Sequence, residues 1–309
     1  MKYSFVLPAF KARFLKEAID SILSQTYTEF ELIIVNDASP EDLGSIVNSY
    51  DDPRIQYYIN EENIGGKDLV AQWNHSISYA KGDYLILASD DDTYDSRYLE
   101  KMDMLISKYP DVNVFRSRIQ QIDAENNTIY IFAYLPEYIS QSEFCYYWMS
   151  DYIGSGIPYY ILKREALQNI GGYVNFPSAW YSDDATILSL SNNGVVSSPD
   201  ILFSFRLSGL NISSVKNDNR LLRNKILATA KFNKWFSCFI EQLDRLNEEE
   251  QCYADLIAKR FISIRPRSFY KILESSSFFA LLFNIKYIRK YKCASFGFFL
   301  SMLVNSLRR

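Results

Sequence analysis

The chain has 309 residues, 48% hydrophobic and 23% charged, enough to bury a sizeable core in one or two domains. A net charge of −4 argues against a nucleic-acid partner, whose footprint is a basic excess. The four cysteines, Cys145, Cys238, Cys252 and Cys293, form no C-x-x-C pair, which fits a reduced compartment and offers no zinc site.

The opening MKYSFVLPAF has one lysine, then a short apolar run broken by Pro8, with Glu17 and Asp20 soon after. It does not read as a secretory signal, so a cytoplasmic protein is expected. YSFVL (3–7) reads as a buried strand, followed by Phe14, Ala18, Ile19, Ile22 and Leu23 at the spacing of a helix face. FELIIV (30–35) is a second strand. Ser39-Pro40-Glu41-Asp42 then supplies a cap, a proline at the first helical position and an acid at the third. RIQYYI (54–59) is a third strand. After Gly65-Gly66, the residues Val70, Trp73 and Ile77 mark another helix, and YLILA (84–88) a fourth strand. A helix from about Ser96 to Tyr109 follows. This alternation predicts an α/β fold with a mostly parallel sheet and helices on both faces.

Such sheets bind ligands at the carboxyl ends of their strands. Three polar clusters fall there: Pro8-Ala9-Phe10, Asn36-Asp37, and Asp90-Asp91-Asp92 within LILASDDDTY. Three adjacent carboxylates repel one another unless solvent or a cation offsets them. Neither G-x-G-x-x-G nor a P-loop occurs, so a diphosphate bound here would need a metal, and Mg²⁺ or Mn²⁺ suits carboxylates plus phosphates. Asp37 could accept from a base N–H or merely begin a turn with Ala38 and Ser39. Phe10 could stack on a base or belong to the core.

Two stretches, SFVLPAFKARFLKEAIDSILSQTYTEFELIIVNDAS and ENIGGKDLVAQWNHSISYAKGDYLILASDDD, resemble the opening blocks of glycosyltransferase family 2. The likeness is dense over about residues 3–100. It resumes more weakly at GSGIPYYILKREALQNIGGY, YSDDATILSLSNNG and FSFRLSGLNIS, and ends near residue 215.

The resemblance implies a GT-A fold and inverting transfer of a sugar from a nucleotide-diphosphate donor, UDP above all, with polysaccharide biosynthesis as the setting. Carried over by position, Pro8, Ala9 and Phe10 line the nucleoside pocket and Asp37 binds the base. Asp91, with Asp92 beside it, holds the metal through the D-x-D motif. Ser89 stands where the commonest form of the motif has its first acid, which leaves open whether Asp90 or Asp92 contacts the ribose. Asp183-Asp184 falls on the family's acid pair, whose second member is the general base, here Asp184. Inversion needs such a carboxylate to take the acceptor hydroxyl's proton. The bland alternative for the pair is helix capping.

Trp180 is a candidate sugar platform or a core residue. Many relatives carry R-x-H where this chain has Arg206-Leu207-Ser208, so any metal is left to carboxylates, phosphates and water, with Arg206 within reach of the diphosphate. The single histidine, His75, reads as packing. A sugar-nucleotide nucleotidyltransferase would show a Gly-rich basic loop after the first strand, which LPAFKARFL lacks. An inactive carbohydrate-binding protein would not need Asp37, Asp91 and Asp184 together.

The expected organisation is a catalytic domain over 1–214, with a nucleotide-binding half (1–100) and an acceptor-binding half (101–214). A helical region over 215–309 completes it. There, aromatic and aliphatic clusters alternate with Lys286, Arg289, Lys290 and Lys292, and the chain closes on Arg308-Arg309. CASFGFFLSMLVNSL is too short to span a bilayer. The region reads equally as an interfacial membrane contact, suited to a lipid-linked acceptor, or as a packed subdomain.

Overall fold

The computed structural model describes residues 2–207, 218–243, 245–264, 269, 272–273, 276–291, 293 and 296–307. Its first half follows the expected alternation: β1 (Tyr3–Ala9), α1 (Leu15–Leu23), β2 (Phe30–Asn36), α2 (Leu43–Val47), β3 (Ile55–Ile59), α3 (Leu69–Ile77), β4 (Tyr84–Leu87), β5 (Thr93–Tyr94) and α4 (Tyr98–Lys108). The second half adds β6 (Val114–Ile122), β7 (Thr128–Ile131), β8 (Tyr138–Ile139), α5 (Gln141–Met149), β9 (Tyr160–Lys163), α6 (Arg164–Asn169), α7 (Ser182–Leu190) and β10 (Val195–Arg206). α8 (Asn219–Glu241) and α9 (Glu248–Ile264) follow.

The sheet runs β3-β2-β1-β4-β9-β6-β10-β5. The first four strands are mutually parallel, β9 runs antiparallel between β4 and β6, and β10 pairs parallel with β6. β2 and β4 are buried at every position, and β1 at all but Pro8, as parallel strands covered on both faces must be. β3 closes the edge, and Ile59 at its end is exposed.

One helix starts later than its sequence suggests. Ser39 does not cap it: its hydroxyl donates to the Phe10 carbonyl and accepts from the Glu41 amide. Asp42 caps α2 instead, accepting from the Ser45 amide at 3.0 Å. The polar run after β2 is thus spent bracing the loop after β1.

The glycine before β4 has a steric cause. A Cβ on Gly82 would lie 2.7 Å from the Tyr3 carbonyl carbon and 2.8 Å from the Ser4 amide. Gly82 also donates to the buried Ser4 hydroxyl, which donates in turn to Glu31. Gly82→Ala is expected to destabilise the fold by about 1–3 kcal/mol, the usual cost of overpacking, read as a lower urea midpoint at unchanged slope.

The long strand β10 builds the far side of the sheet. Its register against β6 shifts between Ser198 and Phe203. The strand then pairs antiparallel with β5, Phe203 opposite Tyr94 and Ser204 opposite Thr93. Arg206 is thereby delivered beside the aspartate triplet.

The expected boundary at 214/215 lies outside the described residues, as do Ser208 and the final Arg308-Arg309. Phe232, Phe236 and Phe239 of α8 and Ala254 and Ile257 of α9 share the main core with the sheet. A smaller second core joins Leu222 and Ile226 of α8 to Leu281, Ile288 and Phe299. His75 packs edge-on to Tyr79, and all four cysteines are unpaired.

Candidate active site

A cavity of about 500 Å³ opens at the carboxyl ends of β1, β2 and β4. Pro8, Phe10, Asp37, Asp90, Asp91 and Asp92 all line it, and so does Asp183 from α7. Phe10 is 37% exposed, a hydrophobic ring left open at the cavity rather than folded into the core. Ala9 is a correction: it is fully buried, and its carbonyl positions Asp37 by accepting the Asp37 amide at 3.0 Å.

Asp37 is held by the loop after β3. One carboxylate oxygen accepts from Asn60 Nδ2 at 2.8 Å and the Ile64 amide at 2.9 Å, the other from the Gly65 amide at 2.7 Å. A carboxylate offers about four acceptor positions, so one remains for a ligand N–H. The approach needs glycine, since a Cβ on Gly65 would sit 2.8 Å from that second oxygen.

The three aspartates of the triplet divide their tasks. Asp90 accepts the Phe10 and Lys11 amides on one oxygen, at 2.9 and 2.8 Å, which ties β4 to the loop after β1. Burial raises its carboxyl above the ordinary range, and those two amides oppose the rise. Asp92, expected from the sequence beside Asp91 as a metal ligand, is only 1% exposed. Its oxygens are taken by the Ser89 hydroxyl and, at 2.8 Å, the Arg206 amide. Burial and then the Asp91 charge push its carboxyl up to about 8. Asp91 is among the residues that line the cavity.

Arg206, expected within reach of a diphosphate, does not line the cavity. It is fully buried, its Nε donates to the Asp91 carbonyl at 2.7 Å, and one terminal nitrogen bonds Glu17 at 2.8 Å. Its guanidinium lies 4.4 Å over the Phe14 ring. It therefore positions the triplet from behind. The basic residue that lines the cavity is Lys11, set against the carboxylates of Asp37, Asp90, Asp91, Asp92 and Asp183 among the described residues.

The acid pair opens α7, in the first turn, where the helix dipole favours negative charge. Asp184 accepts from Trp148 Nε1 at 2.7 Å and from the Ser155 hydroxyl, and both donors favour its ionised form. Asp183 has no such side-chain donors: burial, then the neighbouring Asp184 charge, pushes its carboxyl up to about 8. Burial raises the Asp184 carboxyl as well, its two donors opposing the rise, and the pair titrates as a unit.

The turn entering α7 is strained. Ser178, Ala179 and Tyr181 all adopt left-handed φ, of 55°, 56° and 67°. Such residues persist only where packing enforces them. Here the Tyr181 ring stacks on Phe232 of α8 at 4.4 Å and 16°, and Trp148 packs against Phe232 and Phe236. Trp180, expected as a sugar platform, does not line the cavity. Its ring carries the Lys225 ammonium at 4.4 Å and packs between the two cores.

Sequence reasoning missed Lys11, Trp148, Ser155 and Glu17 as members of the site. Lys11, Glu17 and Ser155 lay within quoted stretches and only Trp148 lay outside them, but Glu17, Trp148 and Ser155 reach the site through tertiary packing that no local pattern shows.

Residues 4–171 match the sequence pattern of glycosyl transferase family 2. The chain belongs to that family. An uncharacterized glycosyltransferase of Rickettsia typhi is 33% identical over 129 residues, 41% of this chain and 39% of that protein. The putative glycosyltransferase EpsE of Bacillus subtilis is 39% identical over 100 residues, 31% of this chain and 35% of that one. The matches thus span well under half of these family 2 relatives. S. aureus TarS, solved with UDP-GlcNAc, superimposes with a TM-score of 0.66 at 15% identity, covering 95% of this chain and 88% of that one. The mannosyltransferase PcManGT of Pyrobaculum calidifontis, solved with GDP-Man and Mn²⁺, gives 0.52 at 14% identity, covering 99% and 87%. These likenesses establish the family 2 chain as a GT-A fold with added C-terminal helices.

Proposed function

We propose that this glycosyltransferase moves a sugar from a nucleoside diphosphate, preferably UDP, to a glycan or lipid-linked acceptor with inversion, in the building of a surface polysaccharide. The observation that carries this reading is that Asp183 lines the same cavity as the Asp90-Asp91-Asp92 triplet, with Asp184 next to it but set back from the lining against Trp148 and Ser155. The nucleotide sugars bound by TarS and PcManGT support it.

Residues of the 1–100 half hold the donor. Phe10 stacks on the base beside Pro8, the remaining acceptor position of Asp37 takes a base N–H, and Asp90 faces the ribose. With one lysine among five acidic residues, the cavity offers a diphosphate little positive charge without a cation. A divalent metal fits there: Asp91 would hold it, with Mn²⁺ or Mg²⁺ completing its shell from phosphates and water. No group of three or more such protein ligands occurs among the described residues, so phosphates and water would have to supply most of the shell. When bound, the metal offsets charge building on the leaving diphosphate.

The 101–214 half receives the acceptor. Asp184, oriented by Trp148 and Ser155, takes the proton from the acceptor hydroxyl as its oxygen attacks the anomeric carbon opposite the departing diphosphate.

The test is a screen of UDP-, GDP- and dTDP-sugars with a panel of glycan and lipid-linked acceptors, with and without Mn²⁺, reading nucleoside diphosphate release. Release confined to one base class and raised by metal is expected. Pyrophosphate formed from a nucleoside triphosphate and a sugar phosphate would instead mark nucleotidyl transfer. Sugar binding without turnover across the panel would mark a binding protein.

A further inference from the structure

Two short helices, Phe278–Phe283 and Ile285–Lys290, follow one another with a single residue between them. Asn284 donates to the Ala280 carbonyl and accepts from the Ile288 amide, so the hydrogen-bond ladder runs on across the break. One side of this double helix is anchored: Ala280, Leu281 and Ile288 enter the second core with Leu222 and Ile226 of α8, and Asn284 Nδ2 donates to the Asn219 carbonyl.

The other side is left open. Phe279 and Phe283, one turn apart, are each 68% exposed, and Leu282 and Ile285 are exposed beside them. Lys286, Arg289 and Lys290 continue the same stretch and are exposed as well. Phe279, Phe283, Lys286 and Lys290 stand at helical spacings of four, three and four, which places them along one stripe. None of the three basic residues has an ion pair among the described residues.

Charge is segregated in the same way. From Ser275 to Arg309 the sequence carries six basic residues and no acidic one, while the whole chain is at −4, so residues 1–274 carry −10. Exposed phenylalanines rimmed by unpaired cations suit a surface that is apolar just below a layer of negative charge. No helix among the described residues is long and apolar enough to cross a membrane, so the contact is one of lying on, not spanning. A second copy of the same face would bring like charges together.

We propose that the face built from Phe279, Leu282, Phe283, Lys286, Arg289 and Lys290 docks this protein on an anionic lipid bilayer. The rings insert at the headgroup level and the cations meet lipid phosphates. This inference does not depend on the transferase reading, and its test uses no sugar donor.

The full-length chain is sedimented with vesicles of phosphatidylcholine alone or mixed with phosphatidylglycerol, at low and high salt. Pelleting with the anionic vesicles only, weakening as salt rises, is the expected result. Phe279→Ser/Phe283→Ser and Lys286→Glu/Lys290→Glu, both on exposed positions, should each lower vesicle affinity at least tenfold while melting curves stay unchanged. Equal binding to neutral vesicles, no binding to either, or variants that bind as the parent does would each overturn the proposal. So would a concentration-dependent dimer abolished by the phenylalanine pair, which would assign the face to a second copy.

Discussion

Asp91→Asn is expected to lower turnover at least roughly a hundredfold and to remove its response to Mn²⁺. Stabilisation of the leaving group by a metal is worth several kcal/mol, and each 1.36 kcal/mol is about tenfold in rate. UDP binding measured by calorimetry should lose its metal dependence in the same variant. Unchanged metal stimulation would move the site away from Asp91. Asp92 supplies the contrast. Asp92→Ala strips the acceptor from the buried Arg206 amide and from Ser89. It should therefore cost stability, about 1–3 kcal/mol for the orphaned donor, and show in the melt before it shows in metal response.

The second large effect separates the members of the acid pair. Asp184→Asn keeps the shape and the Trp148 contact but removes the proton acceptor, so turnover should fall by roughly 10²–10⁴ with donor affinity nearly unchanged. Asp183→Asn mimics the protonated state that burial and the Asp184 charge already impose, so its loss should stay within about tenfold. The pH profile gives the sign. Asp184 is raised by burial, so activity should fall as pH drops through a value above the usual carboxylate range. An inflection near 8, where Asp183 gives up its proton, should be present in the parent and absent in Asp183→Asn. If Asp183→Asn is the dead variant and Asp184→Asn the live one, the roles are reversed.

Three of the four parallel strands, β1, β2 and β4, were legible because burial on both faces leaves nearly unbroken apolar runs, as in YLILA. The gathering of Phe10, Asp37 and the triplet at one cavity followed from the rule that places ligands at strand ends. What stayed hidden depends on contacts between distant segments. Arg206 looked like a phosphate ligand because its motif position suggested one. Only the return of β10 beside β5, more than a hundred residues on, shows it turned inward on Asp91 and Glu17. Asp92 looked equivalent to Asp91 for the same reason. Trp148 sits in a helix rich in aromatics with no local signal that its ring nitrogen meets Asp184, 36 residues later. The capping error at Ser39 was of another kind, since a serine hydroxyl serves a neighbouring loop as readily as its own helix.

The strained turn at Ser178, Ala179 and Tyr181 has a practical consequence. Left-handed backbone at non-glycine residues costs of order 1–3 kcal/mol apiece, so the turn would relax if the ring of Phe232 were withdrawn. A fragment ending at Arg206 would contain every acidic residue of the cavity and still lack the helix that braces the turn leading to Asp183 and Asp184. The turn that carries the acid pair and the helix that braces it therefore stand or fall together. Exchanging C-terminal halves between relatives to alter acceptor choice would change the rate constant along with the specificity.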